Sequence, residues 1–119
     1  MNPVTVQVRD NGHQTVLHVA GELDMLGAPV LAECVAEILR AGPPTLVVDL
    51  TEVDFLGSAG LAAMVEAGQR AGTRTQLRIV ASTRSTLRPF TVTGLDTQFS
   101  IYPDLGSALR DGTDGSIVD

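Results

Sequence analysis

The chain has 119 residues, 44% of them hydrophobic and 18% charged, and a formal net charge of −6; that is enough apolar content for one core and too little charge for a disordered acidic segment. It contains no lysine and only 3 Phe and 1 Tyr, which argues against nucleic-acid binding, where clustered cations neutralise phosphates and rings stack on bases. The single cysteine, Cys34, closes no intrachain disulfide, no run approaches the roughly 20 apolar residues of a membrane span, and the first residues lack the basic and apolar regions of a signal peptide. These features point to one cytoplasmic domain that engages neither nucleic acid nor membrane.

In chain order, Val4 to Arg9 alternates apolar and polar residues and predicts a strand with Val4, Val6 and Val8 on one face. Asp10-Asn11-Gly12-His13 supplies turn chemistry, so Thr15 to Ala20 reads as the second arm of a hairpin. Ala20-Gly21-Glu22-Leu23-Asp24 then reads as a turn with exposed acids. From Ala28 to Ala41, Val30, Leu31, Cys34, Val35, Ile38 and Leu39 recur at helical spacing, and Gly42-Pro43-Pro44 ends the helix. Cys34 belongs to that apolar stripe as a small buried residue.

Thr45 to Leu50 is a Val-rich run suited to an interior strand. Thr51 to Gly57 reads as a connection into a helix over Ala59 to Ala71, with Leu61, Met64 and Val65 facing inward. Gln76 to Ala81 is a further strand, and Ser82 caps a short helix through Leu87 that Pro89 should kink or end. Phe99 to Tyr102 reads as an edge strand, and Asp104 caps a last helix over Leu105 to Arg110. The arginines at 70, 74, 78, 84 and 88 read as solvated faces, and 111–119 as a disordered tail. The order β-β-α-β-α-β-α-β-α predicts a single α/β domain over 1–110, a mixed sheet with packed helices.

Charge is uneven. Met1–Glu66 holds 2 Arg and 9 acidic residues, whereas Ala67–Asp119 holds 6 Arg and 5, so the first half attracts cationic partner surfaces. Within it, Ser58 begins a helix after a strand and a loop carrying Glu52 and Asp54. Unpaired N–H groups and the positive dipole end at such a place stabilise an attached phosphate, which makes Ser58 a candidate phosphoacceptor. An ordinary helix-capping serine is the alternative on local pattern. A hydrolase nucleophile elbow does not fit: Gly-x-Ser-x-Gly needs glycine where Leu56 stands, and His13 and His18 both precede the serine. Two histidines and one cysteine show no paired metal-ligand spacing, and no cofactor is implied.

Gly21-Glu22-Leu23-Asp24, Val48-Asp49-Leu50 and Asp54-Phe55-Leu56-Gly57-Ser58-Ala59-Gly60-Leu61 together resemble the STAS family, the domain of anti-sigma factor antagonists and sulfate-transporter tails. The likeness runs from the first strand to Leu109, including Thr93-Gly94-Leu95 and Tyr102-Pro103. It implies a small α/β domain without catalysis of its own that binds an anti-sigma factor of GHKL serine-kinase type. It also implies that Ser58 is phosphorylated, that Asp24 is the family's acid after the second strand, and that a PP2C-type phosphatase resets the switch. Gly57 stands where many members carry Asp, and Ala59 where Ser or Thr is common. The expected partner surface comprises Asp24, Asp54, Gly57, Ser58, Ala59, Gly60, Ala62 and Ala63, the small residues permitting close approach. Two alternatives remain at this level: a STAS scaffold subunit of a signalling or transport assembly with no phosphorylation cycle, and a module holding a nucleotide phosphate at the Ser58 helix.

Overall fold

The structure, a computed structural model, describes residues 3–110; the expected disordered tail at 111–119 lies outside the described residues. β1 (Thr5–Asp10) and β2 (Gln14–Leu23) form the predicted antiparallel hairpin, with Gln7 opposite His18 and Val8 opposite Leu17. Its turn is closed by side chains: Asp10 Oδ1 accepts from Gly12 N (2.8 Å), and Asn11 Oδ1 accepts from Gln14 N (2.9 Å). After α1 (Ala28–Arg40), β3 (Thr45–Leu56) pairs parallel to β2. α2 (Ser58–Ala71), β4 (Gln76–Val80), α3 (Arg84–Val92), a 3₁₀ turn (Leu95–Thr97), β5 (Ser100–Tyr102) and α4 (Leu105–Arg110) complete the order. The five strands lie in sequence order, β1-β2-β3-β4-β5, all parallel after the first pair.

Each crossover from β2 onward steps the same way across the sheet, so the fixed handedness of such connections puts α1, α2 and α3 on one face. That face holds the main core: Leu17, Val19, Leu46, Val48, Leu50 and Ile79 of the sheet against Leu31 and Val35 of α1, Met64 and Ala67 of α2 and Phe90 of α3. On α1 the stripe is narrower than its spacing predicts, since Val30 is 42% exposed and Cys34 half-buried. On α2 the buried side is Gly60, Ala63, Met64, Ala67 and Ala71, while Leu61 and Val65 are only partly covered.

α4 covers the opposite face, where Val16, Val47 and Val80 meet Ala108, Leu105 and Leu109. Asp104 caps it as predicted, accepting from Ser107 N at 2.7 Å, and that bond holds its carboxyl below the usual range. At the other end, Arg78 donates from Nη1 to the Ala108 carbonyl (2.6 Å) and from Nη2 to Gln76 Oε1 (2.7 Å), while Gln14 Nε2 donates to the Leu109 carbonyl (2.8 Å). Arg78 is therefore buried, not solvated as expected. Its guanidinium satisfies a carbonyl that the end of a helix leaves orphaned.

Two other boundaries differ from expectation. Thr83, not Ser82, caps α3 by accepting from Thr86 N (3.3 Å), and the helix runs through Pro89 to Val92 instead of ending near Leu87. Proline inside a helix costs about 3 kcal/mol. Burying Phe90 returns about 2–3 kcal/mol, and its edge-to-face contact with Phe99, centroids 5.8 Å apart, adds about 1 kcal/mol. Packing therefore offsets the local penalty.

The larger difference is that Thr51 to Leu56, expected as a connection, continues β3, and Gly21 to Leu23 continues β2 beside it. The pairing advances from His18↔Asp49 to Ala20↔Glu52 and from Gly21↔Val53 to Glu22↔Phe55, so β3 gains one unopposed residue at each of two bulges. Gly21, at φ +100°, adopts the backbone that the second irregularity needs. Leu50, Val53 and Leu56 all reach the main core, a spacing of three that conceals a strand from a search for alternation.

Where α2 leaves β3, Gly60 lies so close to β2 that a Cβ would sit 2.8 Å from the Leu23 carbonyl oxygen and 2.8 Å from Leu56 Cδ1. Gly60→Ala should therefore lower stability by about 1–3 kcal/mol in urea unfolding, although alanine is the better helix former; unchanged or raised stability would contradict this packing. Burial, and then Glu37 beside it, pushes the Cys34 thiol up. Iodoacetamide at pH 8 should consequently modify Cys34 more slowly than free cysteine, and an equal or faster rate would show the thiol to be accessible and unshifted.

Candidate functional site at the start of the second helix

The bulged ends of β2 and β3 carry their loops to one end of the sheet, beneath the N-termini of α1 and α2. A last backbone bond, Gly57 N to the Leu23 carbonyl at 3.1 Å, joins the two strand ends. The chain then turns at Asp24, whose Oδ1 accepts from Leu26 N (3.0 Å) and Gly27 N (2.8 Å) while its carbonyl accepts from Ala28 N (2.9 Å). The segment expected as a turn with exposed acids is thus strand through Leu23, and Asp24 holds the entry to α1. Gly27 has its own reason: a Cβ there would collide with the Glu22 carbonyl oxygen.

Ser58 is the first residue of α2, and the capping position belongs to Gly57, whose extended backbone accepts from Leu61 N at 2.9 Å. Ser58 is exposed, and among the described residues its hydroxyl makes no hydrogen bond. The helix-capping role weighed from the sequence therefore does not apply. The hydroxyl is free beside first-turn N–H groups that no side chain caps.

Of the other expected surface residues, Asp54 and Ala62 are exposed, and Asp24, Gly57 and Ala59 are partly so. Ala63 is buried at the floor of a shallow apolar groove between α1 and α2, which Met25, Pro29, Ala32 and Ala59 also line. Gly60 is a correction: it faces inward, and the close approach it permits is with the chain's own Leu23, not with a partner.

Sequence reasoning passed over three residues here. Met25 and Leu26 are 81% and 80% exposed, and Phe55 is 51% exposed. The Phe55 ring lies against the Gly57 backbone, where a Cβ would come 2.8 Å from Cε2. An available signal was the apolar pair Met25-Leu26 directly after Asp24, where a strand-to-helix loop ordinarily carries polar residues.

Neither histidine can serve Ser58. His13 sits in the β1–β2 turn, at the opposite end of the sheet. His18 lies on the α4 face, where its Nδ1 is 3.0 Å from Asp49 Oδ2, and Asp49 Oδ1 accepts from Thr51 N (3.0 Å) and Thr51 Oγ1 (2.5 Å). Among the described residues no three His, Cys, Asp or Glu side chains are grouped to hold a metal ion, and no helix is long and apolar enough to cross a membrane.

Comparison with known proteins bears on the same elements. The chain is 35% identical over 116 residues to the anti-sigma-F factor antagonist RsfB of Mycobacterium tuberculosis, covering 98% of this chain and 94% of that protein. The crystal structure of an anti-sigma factor antagonist from Mycobacterium paratuberculosis superposes with a TM-score of 0.85 at 40% identity, over 89% of this chain and 91% of that one. The anti-sigma factor antagonist SpoIIAA in its unphosphorylated form shares the fold, with a TM-score of 0.76 at 14% identity over 97% of this chain and 100% of that one. A family model described as Mlab, STAS domain, matches residues 6–106, from the first strand into the last helix. The chain therefore belongs to the STAS-domain family.

Proposed function

We propose that the chain is an anti-sigma factor antagonist: it binds an anti-sigma factor of GHKL serine-kinase type, so that the sigma factor is released, and phosphorylation of Ser58 ends the binding. The observation that carries this reading is the free, exposed hydroxyl of Ser58 at the first position of a 14-residue helix, within a surface of acidic and apolar side chains. The names of the relatives supply the class of partner.

In the unmodified state Asp24, Asp54, Gly57, Ala59, Ala62 and the groove floored by Ala63 meet the partner around Ser58. The partner kinase then transfers the γ-phosphoryl group of ATP to Ser58 Oγ, the hydroxyl proton leaving to a base on the kinase and ADP departing. This chain contributes position and no catalytic group. The new group adds about −1.5 to −2 charge. The uncapped N–H groups and dipole of α2 favour it in the free protein, while Glu52 and Asp54 repel it and its bulk separates surfaces that were in contact. A PP2C-type phosphatase hydrolyses the phosphoserine and restores binding.

Gly57, which replaces the acid common in the family, leaves room for the Phe55 ring. Ala59 removes an alternative acceptor, so a single site carries the modification. The test is incubation with ATP and a GHKL-type anti-sigma factor from the same organism. Mass spectrometry should place one phosphate on Ser58 and none on Ser58→Ala, and Ser58→Glu should bind at least about tenfold more weakly, some 1.4 kcal/mol. Phosphate elsewhere, or full affinity in Ser58→Glu, would remove the phosphoswitch; binding without any phosphorylation would favour the scaffold role.

A further inference from the structure

We infer that Met25, Leu26 and Phe55 are the apolar anchors of this docking surface, and that the partner meets them with an apolar pocket rimmed by Arg or Lys. The inference rests on the proposed function for the identity of the partner and extends it to what that partner must present.

Met25 and Leu26 are the two most exposed large hydrophobic side chains among the described residues, and Phe55 is half exposed near them in the fold; apolar side chains gathered in water in this way mark interaction sites more often than singly scattered ones do. Met25 and Leu26 occupy consecutive positions in a loop whose backbone is fixed by Asp24, so their exposure is not the fraying of an untethered segment. Phe55 precedes Gly57 and Ser58, and its ring is seated on Gly57, where any side chain would press on it. The Leu23 carbonyl accepts from Gly57 N, so the strand ends bearing the two halves of the patch are bonded to each other. The three anchors thus stand on backbone that is held in place, Met25 and Leu26 by the Asp24 turn and Phe55 by the end of β3. Preorganised anchors lose little entropy on docking, as binding hot spots require.

The rim defines the partner's charge. Glu22 lies opposite Phe55 in the strand register, Asp24 and Asp54 directly precede Met25 and Phe55 in the chain, and Glu66 lines the groove that Met25 borders. The only cations among the first 66 residues are Arg9, which lines the groove on the α4 face, and Arg40, 12 residues beyond Ala28 and so roughly 18 Å along α1. Arg70, further along α2, pairs with Glu66 at 3.1 Å. An apolar centre flanked by Glu22, Asp24 and Asp54 is complementary to an apolar pocket ringed by cations, and the exposed Phe55 face also accepts an arginine by cation–π contact.

The experiment uses the full chain and a GHKL-type anti-sigma factor from the same organism, with affinity measured by calorimetry. The variants are Met25→Ser/Leu26→Ser and Phe55→Ala, with Val8→Ser and Val92→Ser as controls at exposed apolar positions outside the patch. Each anchor variant should bind at least about tenfold more weakly, the range expected of a hot spot, with unfolding midpoints near wild type because the side chains are exposed. The controls should bind within twofold. Gly57→Asp, which displaces the Phe55 ring, should weaken binding in the wild-type background and have less effect when Phe55 is already alanine. Raising the salt from 50 to 500 mM should weaken wild-type binding. Anchor variants that bind like wild type would overturn the inference while leaving the proposed function in place, as would affinity that salt leaves unchanged for the cationic rim. Failure of the wild-type chain to bind any anti-sigma factor would overturn both.

Discussion

The site depends on one pairing, that of β2 with β3 beyond the point where a regular ladder would end. Two extra residues in β3 are absorbed as bulges, each of which re-aims the strand, and the core accepts the result because Leu50, Val53 and Leu56 still reach it. The first bulge falls where the buried Asp49 carboxylate binds the Thr51 backbone and hydroxyl and the His18 ring. Without that set of bonds the irregularity would leave a buried carboxylate unsatisfied. The pairing ends with Gly57 and Leu23, so the Asp24 loop and the start of α2 are held as one rigid unit, although more than thirty residues of sequence separate them.

Glycine completes that unit in two ways. At 27 and 60 it lets helices approach strand ends more closely than any side chain would allow, which fixes how α1 and α2 rise from the sheet. At 57 it caps α2 through its backbone alone. Glycine is only a few tenths of a kcal/mol poorer than serine as a cap, so the helix loses little, and the neighbouring serine is left with an unengaged hydroxyl. A serine in the capping position would have its oxygen committed to the helix. Shifting it by one residue replaces the most ordinary use of serine at a helix start with an exposed hydroxyl that the helix does not engage.

The opposite face of the sheet is built by different means. There α4 is only six residues long, too short to be stable by itself, and it is held by Asp104 at one end and by Arg78 and Gln14 at the other. This closes the second core without drawing on the surface around Ser58. In the STAS-domain fold described here, the main core lies between the sheet and α1, α2 and α3 and a smaller one lies under α4, while Met25, Leu26, Phe55 and Asp54 are exposed at the end where Ser58 lies.

Much of this was legible in the sequence. Element order, the hairpin, the interior strand Thr45 to Leu50, the Asp104 cap and the place of Ser58 at the start of a helix follow from local pattern, because alternation, helical spacing and turn chemistry are properties of neighbouring residues. Tertiary structure decided the rest, for reasons no local window contains. Bulges turned an apparent connection into strand by changing the period from two to three. Phe90 burial carried a helix through Pro89, and an orphaned helix carbonyl drew Arg78 out of solvent. Gly60 was committed inward because Leu23, distant in sequence, lies against it. Met25, Leu26 and Phe55 come to the same end of the sheet only because two strand ends are bonded side by side, a relation set by pairing across the sheet and not by composition.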